Sequence, residues 1–267
     1  MKRASGLAAL LAVATAGAGV AADLPPRLQP PAPPEASPLA PDWALQITPY
    51  LWAAGLNGRI SPFRLAPTIQ VEKSFGDVMK HFNGGGFLHV WARKGPFVAN
   101  ADVMYVNTTD SRSVSSVPIV GAIRGRLATG LFYATLSGGY RILDAGPVTF
   151  DALAGARLWN VYNRASIDFA FVSLGVAKSL TWVDPVIGGR AFLRLNDAFS
   201  LQAQGDIGGF GAGSKFTWQA LGTVNYAFAE HFSASVGYKI LRTDYARGGY
   251  VFDVTMAGPV VGMTYRF

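Results

Sequence analysis

Val261-Gly262-Met263-Thr264-Tyr265-Arg266-Phe267 closes the chain with an apolar side chain at every second position and a terminal aromatic. A two-residue period is that of a β-strand whose two faces meet different surroundings. A terminal strand of this kind, in a chain that opens with a secretory signal, predicts an outer-membrane β-barrel. Val261, Met263, Tyr265 and Phe267 then form the face that the barrel-assembly machinery would read.

The same alternation runs from Phe216 to Phe228. One face carries Phe216, Trp218, Ala220, Gly222, Val224, Tyr226 and Phe228, and the other carries Thr217, Gln219, Leu221, Thr223 and Asn225. Aromatics at both ends with small or aliphatic residues between them fit a lipid face with interfacial girdles, and the polar partner face fits a wet lumen. Phe199 to Ile207 and Phe232 to Ile240 repeat the pattern.

At the other end Lys2 and Arg3 precede the apolar run Leu7 to Ala16, and Val20-Ala21-Ala22 supplies small residues for cleavage. This predicts a signal peptide over 1–22 and a mature chain from Asp23. Pro25, Pro26, Pro30, Pro31, Pro33, Pro34, Pro38 and Pro41 then deny helix and sheet, so 23–42 reads as an extended periplasmic linker and 43–267 as the barrel. Elsewhere no run of 18 apolar residues exists, which excludes a helical membrane protein although half of the residues are hydrophobic. A barrel hides its membrane signal in alternation.

Cysteine is absent, removing disulfides, thiol catalysis, zinc–thiolate sites and a lipoprotein anchor. The formal charge is +7, and leaving out Lys2 and Arg3 of the signal gives +5. The charges are dispersed among apolar strands and form no basic stripe, which argues against nucleic acid as a partner.

Twelve strands are predicted, at 43–55, 58–65, 68–73, 84–94, 97–108, 126–142, 147–163, 183–195, 198–210, 214–228, 231–245 and 250–267. The even number suits a single-chain antiparallel, up-and-down, all-β barrel. The pair 58–65 and 68–73 is short and contains Pro62 and Pro67. If it forms a hairpin outside the wall or inside the lumen, ten strands remain. Short periplasmic turns are expected at Lys94-Gly95-Pro96, Asp144 to Pro147, Asn196-Asp197 and Glu230-His231, and longer extracellular stretches at 74–82, 109–125, 165–182, 211–215 and 246–249.

Three segments, Thr48 to Gly55, Trp182 to Arg190 and Gly205 to Ser214, resemble those of a group of uncharacterised proteobacterial outer-membrane barrel proteins, and the resemblance covers most of 43–267. It implies an outer-membrane barrel. The group offers no established activity, so no site residue is carried over.

Parity along the strands places Glu72, Asp102, Asp151, Asp184 and Asp206 in the lumen with Arg93, Arg141, Arg157, Arg190, Arg194, Lys239 and Arg266. This interior is mixed in sign and slightly basic. Charges in so narrow a space need water or one another, since an unpaired buried ion costs several kcal/mol. Two readings of this set follow: a network of pairs that braces and fills the barrel, or the constriction of a channel whose basic excess favours small anions. The chain as a whole is expected to be a narrow porin-like channel for small solutes or ions, with a non-conducting structural or surface-interaction barrel as the alternative. Tyr50, Trp52 and His89 share the inward parity, as space-filling aromatics or as a surface on which a solute stacks.

No catalytic set, cofactor motif or metal set emerges. His231-Phe232-Ser233 resembles the His-x-Ser of lipid A deacylases, but it falls at a periplasmic turn, far from the outer leaflet. Gly208 to Gly213 followed by Ser214-Lys215 lacks the Gly-Lys-Ser/Thr ending of a phosphate loop and reads as a bend. Loop residues Lys80, Arg112, Arg124, Arg164, Lys178, Lys215 and Arg247 outnumber Asp77, Asp110, Asp168 and Asp244. That excess suits contact with outer-membrane lipid and lipopolysaccharide phosphates, or is simply solvated. Oligomeric state cannot be read, because lipid faces and subunit faces are both apolar.

Overall fold

The computed structural model describes residues 42–61, 64, 67–117, 121–168 and 173–267. The expected signal and nearly all of the expected linker lie outside the described residues. Twelve strands form one antiparallel sheet: β1 Trp43–Trp52, β2 Gly55–Ser61, β3 Ile69–Lys73, β4 Phe82–Lys94, β5 Phe97–Val117, β6 Gly121–Ala145, β7 Val148–Asp168, β8 Ser173–Arg194, β9 Phe199–Gly208, β10 Phe216–Ala227, β11 Phe232–Arg247 and β12 Tyr250–Arg266. A short helix, α1 Phe75–Lys80, precedes β4.

Closure comes from β1 pairing with both β4 and β12, so ten strands, β1 and β4 to β12, complete the ring. This is the ten-strand arrangement in which the 58–65 and 68–73 region is not part of the closed wall. β2 prolongs β1 along the same neighbour: Trp52 faces Val260, and Gly55 faces Ala257. The break at Ala53 and Ala54 falls opposite Gly258 and Pro259. Proline has no N–H to give a ladder, so pairing lapses there. Ala53 N still donates to Pro259 O at 2.9 Å, which holds the joint. β3 then folds back on β2 alone.

The segments 109–125 and 165–182, expected as loops, are largely strand. β5 and β6 stay in register through Ser113 and Arg124, and β7 and β8 through Asp168 and Ser173. Leu174 to Ser179, exposed at every consecutive position, show why the sequence hid this. Beyond the lipid both faces of a strand meet water, so the apolar/polar alternation that marks a half-buried strand disappears while the backbone ladder continues. The stretch 74–82 holds α1, whose Ser74 hydroxyl accepts from Asp77 N while the Asp77 carboxylate reaches back to Ser74 N. The Ser74 hydroxyl and the Lys80 ammonium lower the Asp77 pKa to about 2.

The short connections at Gly95, Gly146, Asn196 and Glu230 gather with both Trp43 and Phe267 at one end, the turn end. The connections through α1 and at Gly209 to Lys215 and Gly248-Gly249 lie at the other, the loop end. The outward row of β10 is the one expected, with Phe216, Val224 and Tyr226 exposed and Thr217 and Gln219 buried. At the turn end Phe232, Tyr265 and Phe267 form a girdle: Tyr265 meets Phe232 edge-on at 5.0 Å and Phe267 at 4.6 Å. Phe267 N donates to Leu45 O at 3.0 Å, tying the last residue to the first strand.

Tyr265→Ala removes both ring contacts at this seam and is expected to lower the unfolding free energy of vesicle-inserted protein by about 1–3 kcal/mol, read from urea titration of tryptophan fluorescence.

Candidate functional site

The interior is organised by rows of residues in register across the wall. Tyr50, Phe87, Met104, Tyr133, Trp159 and Trp182 follow one another from β1 through β4 to β8. Thr48, His89, Asp102, Thr135, Arg157 and Asp184 form the adjoining row, two residues nearer the turn end on β1 and two residues along on each following strand. Since side chains alternate between faces, both rows point inward together. An aromatic tier therefore rests on a charged tier.

In the aromatic tier Trp159 is fully buried and stacks on Trp182 at 5.6 Å, and Trp182 stacks in turn on Tyr245 at 4.3 Å. Phe252 meets both indoles edge-on, at 6.2 and 5.9 Å. Leu241, Val254, Met256 and Met104 fill the remaining space. A ten-strand ring encloses more than the eight-strand barrels whose interiors side chains just fill, and large rings are what can span the difference.

Beneath it, Arg157 is fully buried and its guanidinium is held on several sides. Nε donates to Thr135 Oγ1 at 2.8 Å, Nη1 to Thr217 Oγ1 at 3.1 Å, and Nη2 to both carboxylate oxygens of Asp206 at 2.7 and 2.8 Å. Gln219 Nε2 donates to the same carboxylate at 2.6 Å. Across the lumen Lys239 Nζ donates to Asp102 at 2.5 Å and to the hydroxyls of Tyr50 and Tyr133, which themselves donate to Asp102 at 2.7 Å each. The ammonium also lies 5.1–5.2 Å from the ring centroids of Trp52, Tyr50 and Tyr133. Such cation–π contacts replace part of the lost hydration.

A third cluster joins Asp151 to Arg141 at 2.8 Å and to Arg190 at 3.6 Å, with Trp91 Nε1 donating to the same carboxylate. The Arg190 guanidinium lies 4.6 Å from the Trp91 ring centroid. Asp184 is buried and has no ion pair among the described residues. Trp182 Nε1 and the backbone N–H and hydroxyl of Ser214 donate to it instead, at 3.1, 2.5 and 2.7 Å. Ser214 belongs to the loop between β9 and β10, which packs against Asp184 and Trp182 of β8. Gly209 adopts φ +87°, and a Cβ on Gly213 would come within 2.6 Å of the Asp184 carboxylate and 2.8 Å of the Trp182 ring. The bend expected from this glycine run is thus also a close approach to β8.

Of the residues placed in the lumen by parity, Asp102, Arg141, Asp151, Arg157, Asp184, Arg190, Asp206 and Lys239 come together here. The buried set is four cations and four carboxylates, neutral overall. Arg93 and Arg266 sit at the turn-end mouth, Arg93 Nη1 bonding Gly95 O and Arg266 Nη2 bonding Ala229 O. Two placements are corrected. Arg194 has the inward parity but stands in the last paired row at the turn end, opposite Ser200, where its side chain is exposed, because parity gives a face and not a depth. Glu72 pairs with Asn57, which pairs with Thr255 on the outward face of β12, so the hairpin register turns Glu72 to the outside. Ser214, Thr135 and the indoles of Trp159 and Trp182 were not singled out from sequence. The two tryptophans lie two residues from Arg157 and Asp184 on the same inward parity, and that spacing was the available signal.

Below the charged tier a chamber of about 90 Å³ remains at the turn end, lined by Gln46, Thr48, Tyr50, His89, Gln202, Asn225, Ser233, Ser235, Lys239 and Arg266 among others. His89 bonds Asn100 at 2.7 Å, His231 bonds Arg266 O, and His81 bonds Asp77 O. None of these imidazoles is bonded to a serine among the described residues, Ser233 included. No group of three or more metal-ligating side chains occurs among them either.

No protein-family model matches the chain, and no curated protein does. Among solved structures it is similar to the outer membrane protease OmpT from Escherichia coli, at 12% identity over 87% of this chain and 99% of that one, with a TM-score of 0.50. The translocator domain of the autotransporter NalP from Neisseria meningitidis matches at 13% identity over 85% and 89%, TM-score 0.41. Ail, the attachment invasion locus protein of Yersinia pestis, matches at 12% over 85% and 100%, TM-score 0.33. At these identities the likeness is one of fold, and the fold is that of outer-membrane barrels.

Removing one partner of the lumen-crossing bridge leaves the other buried without its counter-charge. Lys239→Met is expected to cost about 3–5 kcal/mol, and Lys239→Met with Asp102→Leu distinctly less than the sum of the two single changes, in a double-mutant cycle read by denaturant unfolding.

Proposed function

We propose that this chain is a sealed outer-membrane barrel, a structural or surface-interaction element without catalytic activity, rather than a constitutively open channel. The observation that carries this reading is Arg157: fully buried, bonded to Thr135, Thr217 and Asp206 from three strands, and roofed by the stacked rings of Trp159 and Trp182. A conducting lumen needs a water path past this level, and closed pairing leaves the ions nothing to exchange with. The neutral balance of the buried set also gives an anion no reason to prefer the centre.

The outside of the loop end offers the surface. Arg59 and Arg242 bracket Asp253 at 2.7 and 3.3 Å, with side-chain exposures of 63% and 46%. They stand above the lipid-facing Tyr238 and Val261, where lipopolysaccharide phosphates would meet them if the turn end faces the periplasm. Delivery by the barrel-assembly machinery, through Val261, Met263, Tyr265 and Phe267, accords with this orientation.

Refolded protein in a planar bilayer is expected to show no steady single-channel openings, whereas Arg157→Ala with Asp206→Ala admits them. Steady openings of the unaltered protein, with an ion preference under a salt gradient, would return the narrow-channel reading to first place.

A further inference from the structure

The turn-end chamber is chemically one-sided. Three basic side chains, His89, Lys239 and Arg266, line it, and no aspartate or glutamate does. The nearest carboxylates are already engaged: Asp102 receives Lys239, Tyr50 and Tyr133, and Asp151 receives Arg141, Arg190 and Trp91.

Two buried guanidinium nitrogens, one on a chamber-lining residue and one on a neighbour bonded to the lining, have no acceptor among the described residues. Arg190 is 3% exposed and its Nε is unbonded, while its Nη2 donates to the amide oxygens of Gln46 and Gln202, both of which line the chamber. Arg266 at the mouth likewise has a buried, unbonded Nε. Buried donors are rarely left without a partner, so each of these N–H groups calls for an acceptor, a water or an anion. Ser233, Ser235, Thr264 and Asn225 add hydroxyl and amide donors around the same space. A volume near 90 Å³ has room for several waters or for one compact solute of a few heavy atoms.

We propose that this chamber is a binding site for a small oxyanion, a carboxylate or phosphate group of few heavy atoms, held by Arg266 and the wall hydroxyls beneath the Lys239–Asp102 bridge. Oxyanion recognition follows from what the site has and lacks: cationic and neutral donors in excess, free guanidinium N–H groups, and no competing acid. The proposal goes beyond the sealed-barrel reading. A bound anion enters and leaves by the turn end, whether or not the tiers above ever part.

The test is isothermal titration calorimetry of the refolded full-length chain in detergent micelles, with inorganic phosphate, glycerate and uncharged glycerol as the probes. Saturable binding of phosphate or glycerate but not of glycerol is expected, and the tighter of the two anions tells phosphate from carboxylate as the preferred group. Arg266→Gln, at the solvent-accessible mouth, is expected to weaken the anion at least tenfold while keeping the heat-modifiable gel migration of a folded barrel. Ser233→Ala with Ser235→Ala should weaken it severalfold. No anion binding by folded protein, glycerol binding as tight as the anions, or unchanged affinity in Arg266→Gln would each overturn the proposal.

Discussion

A guanidinium carried into the middle of a membrane barrel has to be met by the barrel itself, and the rest of this interior follows from how Arg157 is met. Ten strands enclose a space between the filled eight-strand barrels and the wide porins. In that space a charge finds neither bulk water nor an apolar wall close enough to exclude all polar partners. The chain supplies a carboxylate from β9, hydroxyls from β6 and β10, and an amide that steadies the carboxylate. Because these groups lie on different strands, the ion pair also fixes register across the wall. The same logic repeats with Lys239 reaching from β11 to Asp102 on β5.

The two tiers depend on each other. Indole and phenol rings above the ions exclude water and strengthen the hydrogen bonds below, since charges in a low-dielectric surrounding attract more strongly. The hydroxyls of Tyr50 and Tyr133 and the indole N–H of Trp182 in turn give the rings polar ends that bind the carboxylates. Pairing of this kind contributes less to net stability than to specificity, because desolvation offsets much of the attraction. What it secures is one arrangement of side chains in a cavity that many arrangements could fill. The positive excess remains at the turn-end rim, where Arg93, Arg194 and Arg266 meet water.

Much of this was legible in residues such as Thr217, Gln219 and Arg157, because lipid and lumen impose opposite chemistry on alternate positions. Legibility ended where that contrast ends. The loop-end stretch Leu174 to Ser179 of β8 is exposed on both faces, and its strand character rests on backbone pairing that composition does not encode. Glu72 was misplaced because its face is set by the β2–β3 register, which the turn decides, and Arg194 because depth is not a property of parity. Trp159 and Trp182 carried the right spacing, but an aromatic on an inward face does not announce whether it fills space or awaits a solute. Ser214 gave no sign of its role, since its bonds to Asp184 depend on how a glycine bend happens to return.

The central claim is that the tiers form a dry seal with water on either side, and the absence of cysteine makes it directly testable. Single substitutions Thr243→Cys in the seal, Ser235→Cys in the turn-end chamber and Lys215→Cys on the loop end would be placed in uniformly oriented vesicles. Each would then be exposed to a membrane-impermeant maleimide from one side at a time. The account predicts that Ser235→Cys reacts only from the turn end, Lys215→Cys only from the loop end, and Thr243→Cys from neither. Labelling of Thr243→Cys from both sides, or of Ser235→Cys from the loop end, would reveal a continuous water path and contradict it.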